Sequence, residues 1–240
     1  MSAEAPLVRA RGLFKSFGSG ENEARVLRGI DLWLQPGELT LLMGPSGSGK
    51  TTLVSILAGL MRPSAGEVEL CGEPISALDE VAIARVRRRR IGFIFQTYNL
   101  FPALSALDNV ALGYRMRARQ PVAAARAEAR RALESVGLAQ RASYLPGNLS
   151  AGQKQRVAVA RALAGDPPLL IGDEPTAALD SQTAMSVMGL LRERVTRRSA
   201  VLVVTHDHRL QRFAHRTLHI DDGRLAGEER HSAAPAGASG

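Results

Sequence analysis

The run Gly44-Pro-Ser-Gly-Ser-Gly49-Lys50-Thr51 constrains this chain more than any other stretch. It fits G-x-x-x-x-G-K-[ST] and lies between an apolar strand, Leu39 to Met43, and an apolar helix, Leu53 to Leu60. Glycines at such spacing let successive amide N–H groups converge on a phosphate, and the helix N-terminus behind them adds partial positive charge. Gly44, Pro45, Ser46, Gly47, Ser48, Gly49 and Thr52 then form the cradle, Lys50 reaches the outer phosphates, and Thr51 is placed to ligate Mg²⁺. Taken alone, the loop implies a bound nucleoside triphosphate and nothing about the reaction.

The rest of the chain fits an α/β reading. Its 240 residues are 45% hydrophobic and 22% charged, enough for one sizeable core, which excludes disorder, collagen and a disulfide scaffold. Strand signals at Leu7 to Phe17, Val26 to Leu34 and Glu38 to Met43 are separated by Gly-rich and Pro-Gly turns, so an antiparallel sheet is expected to open the chain. After Lys50 the pattern alternates: a helix to about Leu60, a strand Glu67 to Leu70, a helix near Leu78 to Arg88 and the strand-like Ile91 to Gln96. Residues 105 to 164 carry almost no strand signal and several helical ones, including Val122 to Val136 stopped by Gly137. Strands return at Leu169 to Gly172 and Ala200 to Val204, with a helix from about Ser181 to Arg194 between them, which implies a mostly parallel core. The expected boundaries are one domain over 1–227, with a helical lobe inserted at about 97–164, and a flexible tail over 228–240 poor in apolar residues.

No apolar stretch approaches the ~20 residues of a membrane helix and the N-terminus has no export pattern, so a cytoplasmic protein is expected. The lone Cys71 reads as a packed thiol. The net charge of +8 permits anionic ligands, lipid or nucleic acid and selects none of them. The basic run Arg85-Val-Arg-Arg-Arg-Arg90 reads as a solvated helix face, with a surface near anionic headgroups or one for nucleic acid as its alternatives.

Leu169-Leu-Ile-Gly-Asp173-Glu174 is an apolar strand ending in two carboxylates, and strand ends of a parallel sheet converge on the ligand crevice. Asp173 would hold Mg²⁺. If the strand continues, Glu174 points the opposite way, free to orient and deprotonate a water. Ser150 and Gln153 fit a capping box at the start of the helical run Val157 to Ala164, an ordinary helix start that also offers free amides. His206 follows a strand end; among nearby His208, His215 and His219, a metal cluster is the weaker reading because no paired cysteines accompany them.

The phosphate loop, Gln96 closing a strand, Leu149-Ser-Ala-Gly-Gln153, Leu169-Leu-Ile-Gly-Asp-Glu174, Ala178-Leu-Asp180 and His206 after Val-Val-Thr resemble, in order and spacing, the ATPase subunits of ABC transporters. The resemblance spans residues 17 to 207. It implies a P-loop NTPase core with a mostly parallel sheet, an N-terminal antiparallel subdomain and the helical lobe. It also implies a homodimer that sandwiches two ATPs, each between one subunit's phosphate loop and the other's Leu-Ser-Ala-Gly-Gln helix start. By this likeness Ser150, Gly152 and Gln153 act in trans on the γ-phosphate and Glu174 polarises the attacking water. Gln96 senses Mg²⁺ and that water, His206 contacts the γ-phosphate, Asp180 couples the two sites, and Phe17 stacks on adenine unless it merely packs in the core. Two departures stand out: Ala151, where the family usually has Gly, and Gly172 immediately before Asp173.

Within the family, Gly152 to Leu163, Asp173 to Ser181 and Ile91 to Pro102 look most like the branch of macrolide-export, lipoprotein-release and cell-division ATPases, and especially the heterocyst glycolipid exporter type. That likeness implies an integral-membrane permease partner with an extracytoplasmic domain, in some cases a membrane-fusion protein, no nucleic acid, and a place at the inner face of the cell membrane. The alternative is a cell-division-type ATPase that signals to a cell-wall hydrolase without moving cargo.

Overall fold

The computed structural model describes residues 5–231. Strands β1 (Val8–Phe17), β2 (Ala24–Leu34), β4 (Ala65–Leu70) and β5 (Glu73–Pro74) form an antiparallel sheet in the order β2-β1-β4-β5. A second sheet, ordered β10-β9-β3-β8-β7-β6, combines β3 (Leu39–Met43), β6 (Ile91–Ile94), β7 (Leu169–Asp173), β8 (Ala200–Val204), β9 (Arg216–Asp221) and β10 (Arg224–Arg230). All its pairings are parallel except that of β9 with β10. Strands β3, β7 and β8 are buried along their whole length, as expected of parallel strands covered on both faces.

Between the sheets lies the largest apolar cluster, into which helix α1 (Lys50–Leu57) drops Leu53, Val54, Ile56 and Leu57. The opposite face of the parallel sheet is covered by α5 (Ala151–Leu163) and α6 (Ser181–Glu193), through Val159, Val187, Met188 and Leu191. Helices α3 (Ala106–Ala118) and α4 (Val122–Ser135) pack on α5 around Val110, Leu133 and Val157, forming the helical lobe, while α2 (Glu80–Arg90) leads into β6. Alpha-helix α5 belongs to both bodies. It lies so close to β6 that a Cβ on Gly92 would stand 2.2 Å from the Ala162 carbonyl oxygen.

Several boundaries move from the sequence expectation. Strand β3 does not extend the opening antiparallel sheet: it pairs in parallel with β8 and β9, because its predominantly apolar side chains need cover on both faces. Helix α1 stops at Leu57 and Gly59 turns left-handed, at φ +63°. Helix α2 starts at Glu80, where Asp79 caps it by accepting from the Ala82 amide at 2.7 Å. Residues 228–230, expected in the tail, are strand instead: Glu228, Glu229 and Arg230 pair with Leu218, Thr217 and Arg216 in the sheet. Ion pairs substitute there for apolar content: Arg230 lies 3.1 Å from Glu228 and 3.3 Å from Glu38. Residues 232–240 of the expected tail lie outside the described residues. Among the described residues, no helix is long and apolar enough to cross a membrane.

Candidate active site

The parallel sheet delivers its functional residues to one edge. The loop after β3, Gln96 after β6, Glu174 after β7 and His206 after β8 all emerge at strand C-termini and line one cleft of about 730 Å³. The loop contributes Gly44 to Gly47 and Gly49 to Thr52. Gly44 has no room for a side chain, since a Cβ would lie 2.0 Å from the Ile220 carbonyl oxygen; Gly49 turns into α1 at φ +98°. Ser48 is buried beneath the loop, and its carbonyl accepts from the Gly223 amide at 3.2 Å.

Lys50 is buried against its own loop. Its ammonium donates to the carbonyls of Gly44 (2.9 Å) and Pro45 (2.7 Å), which holds it over the convergent amides. Thr51 Oγ1 donates to Asp173 Oδ1 at 3.3 Å, joining the loop to the end of β7. Burial pushes the Asp173 carboxyl above its ordinary pKa. The Thr51 hydrogen bond opposes this, the neighbouring Glu174 adds to it and the Lys50 charge opposes it.

Glu174 faces the cleft for a reason different from strand alternation. The strand ends at Asp173, and Glu174 is left-handed, at φ +49°, with its amide donating to Val204 O at 3.1 Å. Its carboxylate lies 3.3 Å from His206 Nδ1, a ring that is 72% exposed. The same reversal accounts for Gly172. Pro175 folds back over it, and a Cβ at 172 would meet Pro175 Cγ at 2.9 Å.

The remaining predicted residues do not line this cleft. Ser150, Gly152 and Gln153 stand at the start of α5, where Ser150 Oγ accepts from the Gln153 amide (3.2 Å) and Gln153 Oε1 accepts from the Ser150 amide (3.0 Å). Ala151 is not among the residues with positive φ, so its methyl imposes no backbone strain. Asp180 caps α6, accepting from the Thr183 amide (3.0 Å) and hydroxyl (2.7 Å); those bonds hold its pKa below the ordinary carboxylate value. Phe17 ends β1 half-exposed, with the Lys15 ammonium 5.1 Å over its ring. Val26 of β2 lines the cleft and was not anticipated: an apolar wall residue carries no chemical signature, and only its closeness to Gly49 marks it.

The family model described as "ABC transporter" matches residues 27–177. This chain is an ATP-hydrolysing cassette of the ABC transporter family. The cassette is 45% identical over 224 residues to the lipoprotein-releasing system ATP-binding protein LolD of Pseudomonas fluorescens, covering 93% of this chain and 98% of that one. It is 44% identical over 220 residues to the macrolide export ATP-binding/permease protein MacB of Marinobacter nauticus, covering 92% of this chain but 34% of MacB, so it spans about a third of that relative. The solved dimeric ATP-binding cassette MJ0796, in a post-hydrolysis state bound to ADP and Pi, superposes with a TM-score of 0.89 at 38% identity, covering 93% of this cassette and 98% of that chain. The α/β core, the antiparallel N-terminal sheet and the helical lobe expected from the sequence are thus the family's architecture.

Proposed function

We propose that this cassette hydrolyses MgATP in a site completed by a second copy of itself, and that the cycle drives a membrane permease with an extracytoplasmic domain in an export or force-transmitting complex. The supporting observation is the division of residues. One chain's cleft gathers the loop, Gln96, Glu174 and His206, whereas Ser150, Gly152 and Gln153 stand outside it on α5. The dimeric relative with ADP and Pi supports the same reading. The heterocyst glycolipid exporter type is the finer assignment within the branch, with a membrane-fusion protein as a further partner and the inner face of the cell membrane as its place.

Hydroxyl, carboxylate and amide oxygens suit a hard divalent cation, and two of them, on Thr51 and Asp173, are already 3.3 Å apart. Thr51, Asp173 and Gln96 would hold Mg²⁺, which when bound supplies neutralisation of the phosphate charge. Lys50 and the backbone amides from Ser46 to Thr52 bind the phosphates, while Val26 and Phe17 offer apolar surface to the base. Glu174 orients water and receives its proton on a carboxylate oxygen. His206, beside that carboxylate, holds the γ-phosphate side of the cleft. Ser150 and Gly152 of the second copy add hydrogen-bond donors, Gln153 keeps their helix start in shape, and Asp180 links the two sites.

Mixing two inactive variants tests the composite site. Lys50→Ala spoils a chain's own loop and Ser150→Arg spoils what it lends to its partner. A mixed dimer then retains one sound site, so turnover should return on mixing even though the Ser150→Arg chain does not pair with itself. No recovery at any protein concentration would sink the proposal.

A further inference from the structure

The chain immediately after Gln96 takes a conformation that its own residues do not favour. Tyr98 (φ +63°) and Asn99 (φ +48°) are successive non-glycine residues in the left-handed region, which a tyrosine adopts only where its surroundings impose it. The turn uses its own amides, with Tyr98 N donating to Phe95 O at 3.1 Å and Asn99 N to Thr97 O at 2.7 Å. Its carbonyls go elsewhere. Arg161 of α5 donates from Nη2 to Tyr98 O at 2.9 Å and from Nη1 to Asn99 O at 2.7 Å, so one planar guanidinium grips two adjacent carbonyls. Burial pushes the Arg161 pKa down, with no carboxylate to offset it. Further along, Asn109 of α3 fixes the loop's end, its amide group bonding Phe101 N at 2.9 Å and Phe101 O at 3.1 Å.

We infer that Arg161 is a positioning residue: its fork holds Tyr98 and Asn99 left-handed and makes the Gln96 loop follow α5. The other end of that helix carries Ser150, eleven residues and about 16 Å away along the axis. A rigid helix gripping the loop at one end and capped by Ser150 at the other ties the residue facing one cleft to the group offered to the second. The consequence for turnover rests on the composite site proposed above; the grip itself does not.

The experiment compares the full wild-type chain with Arg161→Met, which keeps the stem and removes the fork, and Arg161→Lys, whose ammonium cannot take the same planar two-carbonyl hold. Amide hydrogen exchange over residues 95–101 should quicken by about tenfold or more in Arg161→Met, with Arg161→Lys intermediate and β7 unchanged, as for local loss of charge-assisted bonds. In the same variant, kcat should fall about tenfold while the ATP Kd, measured without divalent cation, stays within about threefold. Adding Tyr98→Gly should recover much of the lost turnover, because glycine takes the left-handed region without steric cost. Unchanged exchange over 95–101 overturns the inference, as does faster exchange spread evenly over the whole chain. Loss of kcat and ATP affinity in equal proportion, with no recovery from Tyr98→Gly, overturns it too. A wild-type chain without turnover would refute the proposed function instead, leaving the exchange data to decide the grip.

Discussion

Replacing Glu174 by Gln separates a chemical role from a structural one by magnitude. The amide has the carboxylate's shape and keeps the backbone intact, including the Glu174 N to Val204 O hydrogen bond that ends β7. What the fold loses is the contact with His206 at 3.3 Å, and with that ring 72% exposed the pair is worth at most about 1 kcal/mol. For a chain of this length, that corresponds to a melting shift of only about 2–4 °C. A general base contributes about 10²–10⁴ to rate, equivalent to ~2.7–5.4 kcal/mol of barrier. Turnover should therefore fall at least ~100-fold while stability barely changes and ATP affinity holds. Phosphate release by purified Glu174→Gln, with Lys50→Ala run in parallel to fix the background from contaminants, provides the assay. Turnover within about tenfold of wild type would refute the base assignment, because an amide cannot accept the water's proton at neutral pH.

Three other perturbations test the surrounding chemistry. Because the folded pKa of Asp173 is raised above its unfolded value, the native state binds the extra proton between the two pKa values, and stability falls as pH rises through that window. Asp173→Asn should thus melt higher than wild type at neutral pH without nucleotide, the gain fading as pH falls towards about 4, and should lose turnover; thermal unfolding across pH reads this, and a gain that persisted at low pH would contradict it. Asn109, fully buried, satisfies Phe101 N and the carbonyls of Phe101, Leu104 and Ser105, so Asn109→Leu should cost at least ~2 kcal/mol in denaturant unfolding, and a loss under ~0.5 would contradict that accounting. Ala151→Gly restores the residue usual in the family at a position with no positive φ, so turnover should stay within about twofold and stability drop by no more than ~1 kcal/mol; a tenfold faster enzyme would show that the methyl obstructs the site.

Local backbone chemistry was legible in the sequence, and tertiary geometry was not. The phosphate loop could be read because its glycines, Lys50 and the strand-to-helix transition are contiguous, and the structure puts all of them on one cleft. The left-handed Gly137 after α4 was similarly readable. Strand β3 was placed in the wrong sheet, since alternation and apolarity describe a strand but not its neighbours. Glu174 lines the cleft by a route other than the strand alternation expected: a left-handed residue, with Pro175 folded over Gly172, makes the turn. Arg161 was invisible as more than one arginine of an amphipathic helix, because its partners are backbone carbonyls 62 and 63 residues away.

If two copies of this chain complete each other's sites, bound MgATP holds them together. Light scattering during size-exclusion of Glu174→Gln, with and without MgATP, measures it directly. The expected result is a monomer mass without nucleotide, twice that mass with MgATP, and no doubling when Ser150→Arg is added. A protein that binds ATP yet keeps the monomer mass at high concentration, or a doubling that survives Ser150→Arg, would contradict it.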